Sequence, residues 1–265
     1  MSPHTLRPFE EPERHEAISS MLARRSTNRE DIRQALLAGL ELGWARDVLE
    51  LGCGFGFLSE AVAARLAPGA RYHGVDACAA NAVPFTRRVA AMGRQPSFLH
   101  LRVARELPWP ARTFDLVLCS WSLYFFPAII TEIARVLRSG GLLLAITHDE
   151  RAFSGLLDAA GLAAQGREAE VLLRRFSAQN GASLLAPWFR RVERVDYPNR
   201  LRFGLEHEDD LLAYLTFKLP VLLAEPPPGP ALPPEVAAAA RATLCAEGEV
   251  WVEKDDACFR CWEPR

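Results

Sequence analysis

The sequence predicts a doubly wound α/β fold, in which helices cover both faces of a mainly parallel sheet. Five short apolar segments alternate with helix-like stretches between residues 47 and 147. Strands at this spacing favour parallel pairing through crossover helices. The stretch DVLELGCGFG at 47–56 also places glycines directly after the first apolar segment, where a strand turns into a helix.

The first 42 residues are expected to form an N-terminal helical segment. Residues 14–24 and 29–42 have helical patterns, and Asn28 is placed to cap the second helix, with Asp31 three residues on. The predicted core then occupies 43–150. Its strands are expected at 47–51, 71–75, 97–103, 114–120 and 142–147.

Residues 151–265 are expected to complete the sheet and to add a helical cap. The segments 188–203 and 249–262 predict strands that could pair in antiparallel fashion. The segment 205–247 between them predicts a helix from about Glu208, a Pro-rich connector and an alanine-rich helix that ends at Gly248.

This predicted cap (205–247) is a candidate lid over a binding site. Its first helix carries an apolar stripe with aromatic residues near the edges. The same stripe could instead be an ordinary packing face or a dimer contact, and the sequence leaves the oligomeric state open between monomer and homodimer. The stripe consists of Leu211, Leu212, Leu215 and Leu219, with Tyr214 and Phe217 beside it.

Composition narrows the class of protein. Hydrophobic residues make up 49% of the 265, charged residues make up 24%, and the net charge is -2, values that favour a globular protein without a nucleic-acid surface. No apolar run is long enough to span a membrane, and the first residues lack a secretory signal. Six scattered cysteines show no disulfide spacing. We therefore expect a cytoplasmic protein with no nucleic-acid and no membrane partner.

The basic residues are almost all arginine. Lysine occurs only at Lys218 and Lys254, and together with the abundant alanine we interpret this as compositional bias. Arginines at 190, 191, 194, 200 and 202 alternate with acids, which predicts a solvated strand face rather than an anion-binding surface.

The glycine turn at 52–56 differs from the common phosphate-binding loops. A dinucleotide fingerprint would require glycine where Phe57 stands, and a P-loop would require a lysine after its last glycine. No basic residue lies between Arg46 and Arg65, while Glu50 precedes the turn. The turn therefore suits a nucleoside with an ammonium group and a sulfonium better than a phosphate chain.

A carboxylate ends the second predicted strand. Asp76 follows the glycines by about 20 residues, where a carboxylate can accept hydrogen bonds from both ribose hydroxyls. Nicotinamide-dependent oxidoreductases share this feature, but Phe57 disfavours that class.

Four segments, in order and spacing, resemble the motifs of class I S-adenosylmethionine (SAM)-dependent methyltransferases. They are VLELGCGFG, GVDA, LPWPARTFDLVLCSWSLYFF and EIARVLRSGGLLLAIT, all within residues 45–150. The resemblance implies a Rossmann-like seven-stranded sheet whose last two strands form a hairpin, with SAM as the cofactor of the 43–150 core.

The resemblance also implies which residues bind SAM. Glu50 would face the ammonium group and Asp76 the ribose, with Ala77 and Asn81 at the adenine edge. The methionine moiety and transferable methyl would lie against Gly52, Cys53, Gly54, Gly56, Cys119 and Ser120. Val103 and Ala104 occupy the place where the family often carries an acid for the adenine amino group, so a backbone N–H at Ala104 is the remaining donor there.

The methyl acceptor is expected to be a small molecule. The DNA and RNA amino-methylating branch of the family carries N-P-P-aromatic after the fourth strand, whereas this chain has CSWSLYFF. His148, just past the fifth strand, and Tyr124 are the candidate catalytic residues. A capping or solvated role for His148 and a packing role for the aromatics are the alternatives, and the other five histidines lack comparable placement.

Two further alternatives concern function and metals. A non-catalytic SAM-fold protein that serves as a binding or partner subunit would share the same glycines and Asp76. Cys258 and Cys261 could form half of a metal site, but no second pair exists at ligand spacing, and residues three apart on a strand point to opposite faces. We therefore expect no metal.

Overall fold

The computed structural model describes residues 3–227 and 229–265. Strands form where β-branched and aliphatic residues follow one another. They are β1 (Asp47–Leu51), β2 (Arg71–Asp76), β3 (Gln95–His100), β4 (Phe114–Ser120), β5 (Leu137–His148), β6 (Phe189–Tyr197), β7 (Arg200–Gly204), β8 (Glu249–Glu253) and β9 (Asp256–Pro264).

Helices occupy much of the sequence between the strands. The α-helices are α1 (Pro3–Leu6), α2 (Pro12–Arg25), α3 (Ile32–Leu37), α4 (Phe57–Ala63), α5 (Ala82–Ala91), α6 (Ile130–Val136), α7 (Ser154–Ala159), α8 (Gly166–Leu173), α9 (Gly181–Leu185), α10 (Glu208–Leu222) and α11 (Pro234–Glu247).

Seven strands form one sheet in the order β3-β2-β1-β4-β5-β9-β6, and β7 pairs with β8 in a separate two-stranded sheet. The first five strands are parallel, and β9 runs antiparallel between β5 and β6. The chain moves outward from β1 on one side and returns to β4 on the other. A crevice therefore lies at the carboxyl ends of β1 and β4, where doubly wound folds bind their ligands. The predicted seven-stranded α/β fold is confirmed.

The predicted strands of the core agree closely with the observed ones. β1 and β4 have the predicted bounds, and β5 begins at Leu137, five residues earlier than predicted. β3 covers 95–100 rather than 97–103. β3 is an edge strand, so Pro96 is tolerated there. The last hydrogen bond to β2 is the one that Leu101 N donates to Asp76 O at 3.0 Å, and the chain leaves the sheet beyond it.

The two C-terminal strand segments pair in antiparallel fashion as predicted, but each divides into two strands. Pro198 and Asn199 separate β6 from β7, and Lys254 and Asp255 separate β8 from β9. Asn199 N donates to Asp255 Oδ1 at 2.7 Å, and Lys254 N donates to Asn199 O at 3.1 Å. These bonds fix the crossing between the large and the small sheet, which we call the sheet junction (198–199 and 254–255).

The second N-terminal helix differs from the prediction in its length and in its N-cap. α2 covers the predicted 14–24, but the second helix is only Ile32–Leu37, and its N-cap is Asp31 rather than Asn28. Asp31 Oδ1 accepts from Arg33 N at 2.8 Å, whereas Asn28 Oδ1 accepts from Glu30 N at 3.0 Å and forms a turn before the helix. Asn and Asp serve both purposes, so the pattern could not distinguish them.

The core has three buried clusters. One lies between the sheet and α3, α4 and α5, and a second lies between the opposite face and α6 and α9. The third lies beneath the cap helices α10 and α11, packed against α2, α7 and the small sheet. Leu211, Leu215 and Leu219 of the predicted stripe are buried in this third cluster. The stripe is therefore a packing face within the chain.

Candidate active site

One cavity of about 580 Å³ opens at the carboxyl edge of the sheet. Its floor is formed by the residues that follow β1, β2, β4 and β5. Its walls come from α2, from α10 of the cap and from the sheet junction. This volume is in the range of small-molecule binding sites.

The glycine turn adopts backbone conformations that require glycine. Gly52 has a φ of +73°, and a Cβ on it would lie 2.6 Å from Ser122 Cβ. The amides of Gly52 and Cys53 donate to Val75 O at 2.8 and 3.1 Å, which ties the turn to the end of β2. The turn therefore presents backbone, rather than side chains, to the cavity.

Asp76 holds the turn in place and faces the cavity. Its Oδ2 accepts from Gly54 N at 2.8 Å, while its Oδ1 accepts from Cys78 N at 2.8 Å and Asn81 Nδ2 at 3.2 Å. Burial raises the pKa of Asp76, and these hydrogen bonds oppose the shift. Oδ2 retains acceptor capacity for a further donor.

Glu50 lies beneath the turn and is 1% exposed. Its Oε2 accepts from Ser59 Oγ at 2.6 Å and Tyr72 OH at 2.8 Å, and its Oε1 accepts from Ser120 Oγ at 3.0 Å. Burial raises the pKa of Glu50, the three hydroxyls lower it, and the nearby charge of Asp76 raises it again. Oε1 is the oxygen with room for a cationic donor, because it accepts only one of the three bonds.

Most of the residues predicted to bind the cofactor line this one cavity. They are Glu50, Gly52, Cys53, Gly54, Asp76, Ala77, Asn81, Val103 and Ser120. Three others do not line it. Gly56 caps the start of α4, Ala104 is exposed to solvent, and Cys119 packs beneath the opposite face of the sheet. Successive residues of a strand point to opposite faces, which separates Cys119 from Ser120.

Two side chains near the turn come from distant parts of the sequence. Arg88 of α5 donates to Phe55 O at 3.0 Å and pairs with Glu16 at 2.5 Å, so its charge is compensated. His15 of α2 lies 3.8 Å from the Cβ position of Gly54 and lines the cavity. The prediction that no other histidine is placed like His148 is therefore wrong. Burial, followed by the charge of Lys218, lowers the pKa of His15 to about 3.

His148 and Asp256 form a buried pair at the far end of the same cavity. They face each other as the last cross-strand pair of β5 and β9, with His148 Nδ1 2.6 Å from Asp256 Oδ1. Trp121 Nε1 donates to the same Oδ1 at 2.9 Å, and Lys254 Nζ donates to Oδ2 at 2.5 Å. His148 Nε2 makes no hydrogen bond to a residue in 3–227 or 229–265.

The charges around this pair keep the imidazole neutral. Burial, followed by the charge of Lys254, lowers the pKa of His148 to about 4, although Asp256 opposes the shift. Burial alone would raise the pKa of Asp256, but Lys254 and His148 hold the pKa of that carboxyl below its usual range. At neutral pH the arrangement is a neutral base beside an ion pair.

Tyr124 packs against His148. Their rings stack with centroids 5.9 Å apart, and Tyr124 is buried. Burial, followed by the charge of Asp256, raises the pKa of the Tyr124 phenol. Its hydroxyl therefore stays protonated and is able to donate a hydrogen bond into the cavity. Both predicted catalytic residues line the cavity that holds the glycine turn.

Two residues with left-handed backbone conformations flank His148. Trp121, directly after β4, has a φ of +50°, and Phe153, before α7, has a φ of +75°. Phe153 meets the His148 ring edge-on at 5.0 Å between centroids. Such conformations cost on the order of 1–3 kcal/mol for a residue other than glycine, and they concentrate at functional sites.

Sequence reasoning missed three residues at this end of the cavity, namely Asp256, Lys218 and Lys254. Asp256 is far from His148 in the chain and becomes its neighbour only through the β5–β9 register. Both lysines of the chain line the cavity. Compositional bias does not explain that placement. The rarity of lysine was the signal that could have identified them.

No group of three or more His, Cys, Asp or Glu side chains able to hold a metal ion is found within 3–227 and 229–265. Cys258 and Cys261 lie in clusters on opposite faces of the sheet, as their spacing predicts. Over the same part of the chain, no helix has both the length and the apolarity needed to cross a membrane.

The strand order, the glycine turn after β1 and the carboxylate ending β2 together form a Rossmann-like α/β fold of the methyltransferase type. Comparison with known proteins agrees. The family described as "Methyltransferase domain" matches residues 48–141. A candidate methyltransferase from Bacillus halodurans has a solved structure that superposes with a TM-score of 0.54 at 14% identity, over 88% of this chain and 99% of that one. That likeness shows the shared fold.

Two curated relatives are similar in sequence. The demethylmenaquinone methyltransferase of Symbiobacterium thermophilum is 29% identical over 51% of this chain, and the trans-aconitate 2-methyltransferase of Paracidovorax citrulli is 31% identical over 60%. The chain spans 60% and 63% of those relatives' own lengths. Together with the family match and the fold, these similarities relate the 48–141 segment to the class I SAM-dependent methyltransferases.

Proposed function

We propose that the protein transfers a methyl group from SAM to a small-molecule acceptor. The observation that carries the proposal is that one cavity contains both the glycine turn with Asp76 and the buried His148–Asp256 pair. The first set suits a nucleoside, and the second suits proton transfer. Their shared cavity allows a cofactor and an acceptor to be held side by side.

The residues at the turn fit SAM. Asp76 Oδ2 and Glu50 Oε1 each have acceptor capacity on the cavity side, for a ribose hydroxyl and an ammonium group respectively. The glycine turn allows close approach of the ligand to the backbone. The cavity positions of Ala77, Asn81 and Val103 suit the adenine edge. A cofactor-binding role has no support from position for Gly56, Ala104 and Cys119, since they do not line the cavity.

SAM, when bound, supplies an already activated methyl group, so the protein's own task is to align the acceptor and to remove its proton. We assign the base to His148, whose Nε2 has no hydrogen-bond partner among the described residues. Asp256 is a positioning residue. It holds Nδ1 at 2.6 Å and stabilises the imidazolium that forms when Nε2 accepts a proton.

Tyr124 supports the acceptor rather than taking its proton. Its raised pKa keeps the hydroxyl protonated, and the hydroxyl makes no hydrogen bond to any residue in the described ranges. A donor in this position can orient an acceptor oxygen or nitrogen beside His148. Its stacking against the imidazole also restricts the rotation of that ring.

Three observations support a small molecule as the acceptor. The cap and α2 enclose the cavity, CSWSLYFF replaces the motif of the nucleic-acid amino-methylating branch, and the curated relatives are named for quinone and carboxylic-acid substrates. A second reading, a SAM-binding partner protein without catalysis, is not favoured, because such a protein would have no use for an oriented neutral base.

Calorimetry followed by a turnover screen tests the proposal. The purified chain is titrated with SAM, with its demethylated product S-adenosylhomocysteine and with NAD, and is then incubated with methyl-tritiated SAM and a panel of small acceptors. We expect the first two to bind, NAD to fail, and label to appear in an acceptor. Binding of NAD alone would overturn the cofactor assignment. Binding of SAM, with label in no phenol, amine or carboxylate acceptor, would favour the non-catalytic reading.

A further inference from the structure

The lysines of this chain have an unusual distribution. Lysine and arginine total 31, yet only Lys218 and Lys254 are lysine. Lys218 lies on α10 of the cap and Lys254 at the sheet junction, and both line the cavity next to the His148–Asp256 pair. A chain that uses arginine at its other basic positions has two compact ammonium groups at one end of one cavity.

The charge of Lys254 is already matched. Its Nζ donates to Asp256 Oδ2 at 2.5 Å and lies 3.4 Å from His148 Nδ1. The same Nζ is 5.8 Å from the centroid of the Trp121 ring. Lys254 therefore belongs to the ion pair that orients His148.

The charge of Lys218 is not matched. Its Nζ lies 4.6 Å from the Phe153 ring centroid and 5.7 Å from that of Phe217. It makes no ion pair or hydrogen bond with any residue in 3–227 or 229–265. Burial, followed by the charge of Lys254, lowers the pKa of Lys218 to about 7, and Asp256 opposes the shift.

The titratable groups that act on Lys218 are few. Lys254 of the sheet junction and Asp256 at the start of β9 compensate each other. His148 on β5 and His15 on α2 have lowered pKa values and are neutral at pH 7. The cavity end therefore carries a surplus of one positive charge when Lys218 is protonated. A bound monoanion would balance that surplus.

We propose that the methyl acceptor carries a carboxylate that is bound by Lys218. This inference rests on the proposed function and specifies the acceptor for it. A single ammonium presents one compact point charge, which one monoanion balances, and it binds without the bidentate geometry that a guanidinium fork requires. The surplus of one charge favours a carboxylate over a phosphate dianion.

The position of Phe153 also limits the size of the acceptor. One of its faces lies under the Lys218 ammonium, and its ring meets the His148 imidazole edge-on. The anion and the reacting atom are thus separated by about one aromatic ring. The acceptor that fits is a compact molecule whose carboxylate lies a few bonds from the group to be methylated.

The scarcity of lysine makes a direct test simple. Protein labelled only at lysine Nζ and Cε gives side-chain NMR signals from two residues, both in this cavity, and a Lys254→Met variant assigns them. In the presence of S-adenosylhomocysteine, benzoate is titrated against benzyl alcohol, its neutral counterpart, and against phenyl phosphate. We expect saturable shifts of the Lys218 signal with benzoate at up to about 10 mM, and none with the alcohol.

Substitution and pH complete the test. We expect Lys218→Met to weaken benzoate binding by more than about tenfold, because a charge-assisted contact is lost, and Lys218→Arg to restore part of it. Binding by the wild-type chain should weaken as pH rises from about 6 to 8, while Lys218 loses its proton. Calorimetry with S-adenosylhomocysteine on each variant should show unchanged affinity.

Several outcomes would overturn the inference. They are no Lys218 shift with benzoate, equal shifts with benzyl alcohol, tighter binding of phenyl phosphate, or benzoate affinity unaffected by Lys218→Met. Failure of the wild-type chain to bind S-adenosylhomocysteine or SAM would instead contradict the proposed function. The two measurements use different probes, so the two failures are distinguishable.

Discussion

The two ends of the cavity are built in different ways. At the proposed cofactor end, the glycine turn and Glu50 lie within ten residues of each other, and Asp76 follows on the adjacent strand. At the proposed acceptor end, His148, Lys218 and Asp256 come from the end of β5, from the cap and from the start of β9. Local sequence determines the first end, whereas long-range strand register and cap packing determine the second.

This difference corresponds to the two proposed tasks of the cavity, which are to bind SAM and to bind and deprotonate the acceptor. The cofactor end uses backbone atoms and two carboxylates whose positions are fixed by neighbouring strands. The acceptor end uses titratable side chains whose pKa values are shifted by burial and by one another. Substitutions at one end should therefore change one task and leave the other intact, and the following predictions test that separation.

The largest effect is expected from His148→Ala. Removal of the base should lower kcat by about 10² to 10⁴-fold, with SAM affinity unchanged within about twofold. Radiometric turnover and calorimetry on the same sample measure both. His73→Ala is the matched control, since His73 lies on β2 outside the cavity, hydrogen-bonded to Ser97. Undiminished turnover by His148→Ala would remove the base from the mechanism.

The next effect concerns the turn. Gly52→Ala should destabilise the protein by about 2–5 kcal/mol, from a left-handed backbone conformation and a clash with Ser122. Gly54→Ala is the control, because it also has positive φ but its Cβ would meet only His15 Cε1, at 3.8 Å. Denaturant unfolding compares the two. If both variants lose equal stability, the clash contributes nothing, and Ser122→Gly should then fail to rescue Gly52→Ala.

A smaller effect is expected from Asp76→Ala. SAM affinity should fall by more than about tenfold, because charge-assisted hydrogen bonds to the ribose would be lost. The Lys218 NMR signal should stay in place, since the substitution lies at the opposite end of the cavity. Calorimetry measures the first result and lysine NMR the second. SAM binding at wild-type strength would contradict the assignment of Asp76 to the ribose.

The smallest effect is on stability as a function of pH. The pKa of His148 is about 4 when folded and about 6.5 when unfolded, so the unfolded chain binds this proton first as pH falls. The contribution of His148 to the free energy of unfolding should be fully present above pH 6.5. It should be lost as pH falls toward 4, by up to about 1.4 kcal/mol per pH unit. Urea unfolding at several pH values measures this slope.

His15 contributes to the same slope, because its folded pKa is about 3. His148→Gln and His15→Gln should each reduce the slope, and the double variant should reduce it further. A slope unchanged by His148→Gln would show that the pKa of His148 is the same in the folded and unfolded chain, which would contradict the burial and the Lys254 charge as causes of a lowered pKa.

The sequence alone predicted the fold well, and most of the residues predicted to bind the cofactor line one cavity, since both results depend on short patterns. The bounds of β1 and β4 followed from runs of apolar residues between turn signals. The division of the C-terminal strands could not be predicted, because it depends on hydrogen bonds between Asn199 and Asp255 that join segments far apart in the chain. Asp256 was missed for the same reason, since only the β5–β9 register places it beside His148.

The two lysines were visible in the sequence but were interpreted as composition. Whether Lys218 lines a cavity depends on where the cap packs. The apolar stripe of α10 could not show which side of the helix faces a cavity. Lys218 lies between Leu215 and Leu219 of the stripe, so helical periodicity alone would place it at the edge of a packing face. The tertiary structure turns that edge toward the cavity.

The anchoring lysine and the base belong to separately replaceable parts of the chain. Lys218 lies on one turn of a cap helix, while His148, Lys254 and Asp256 are held by the sheet and its junction. Exchanging a few side chains on that helical turn could retarget the enzyme to uncharged or differently shaped molecules without touching the proton-transfer machinery. A laboratory evolution campaign for new acceptors should therefore randomise α10 first.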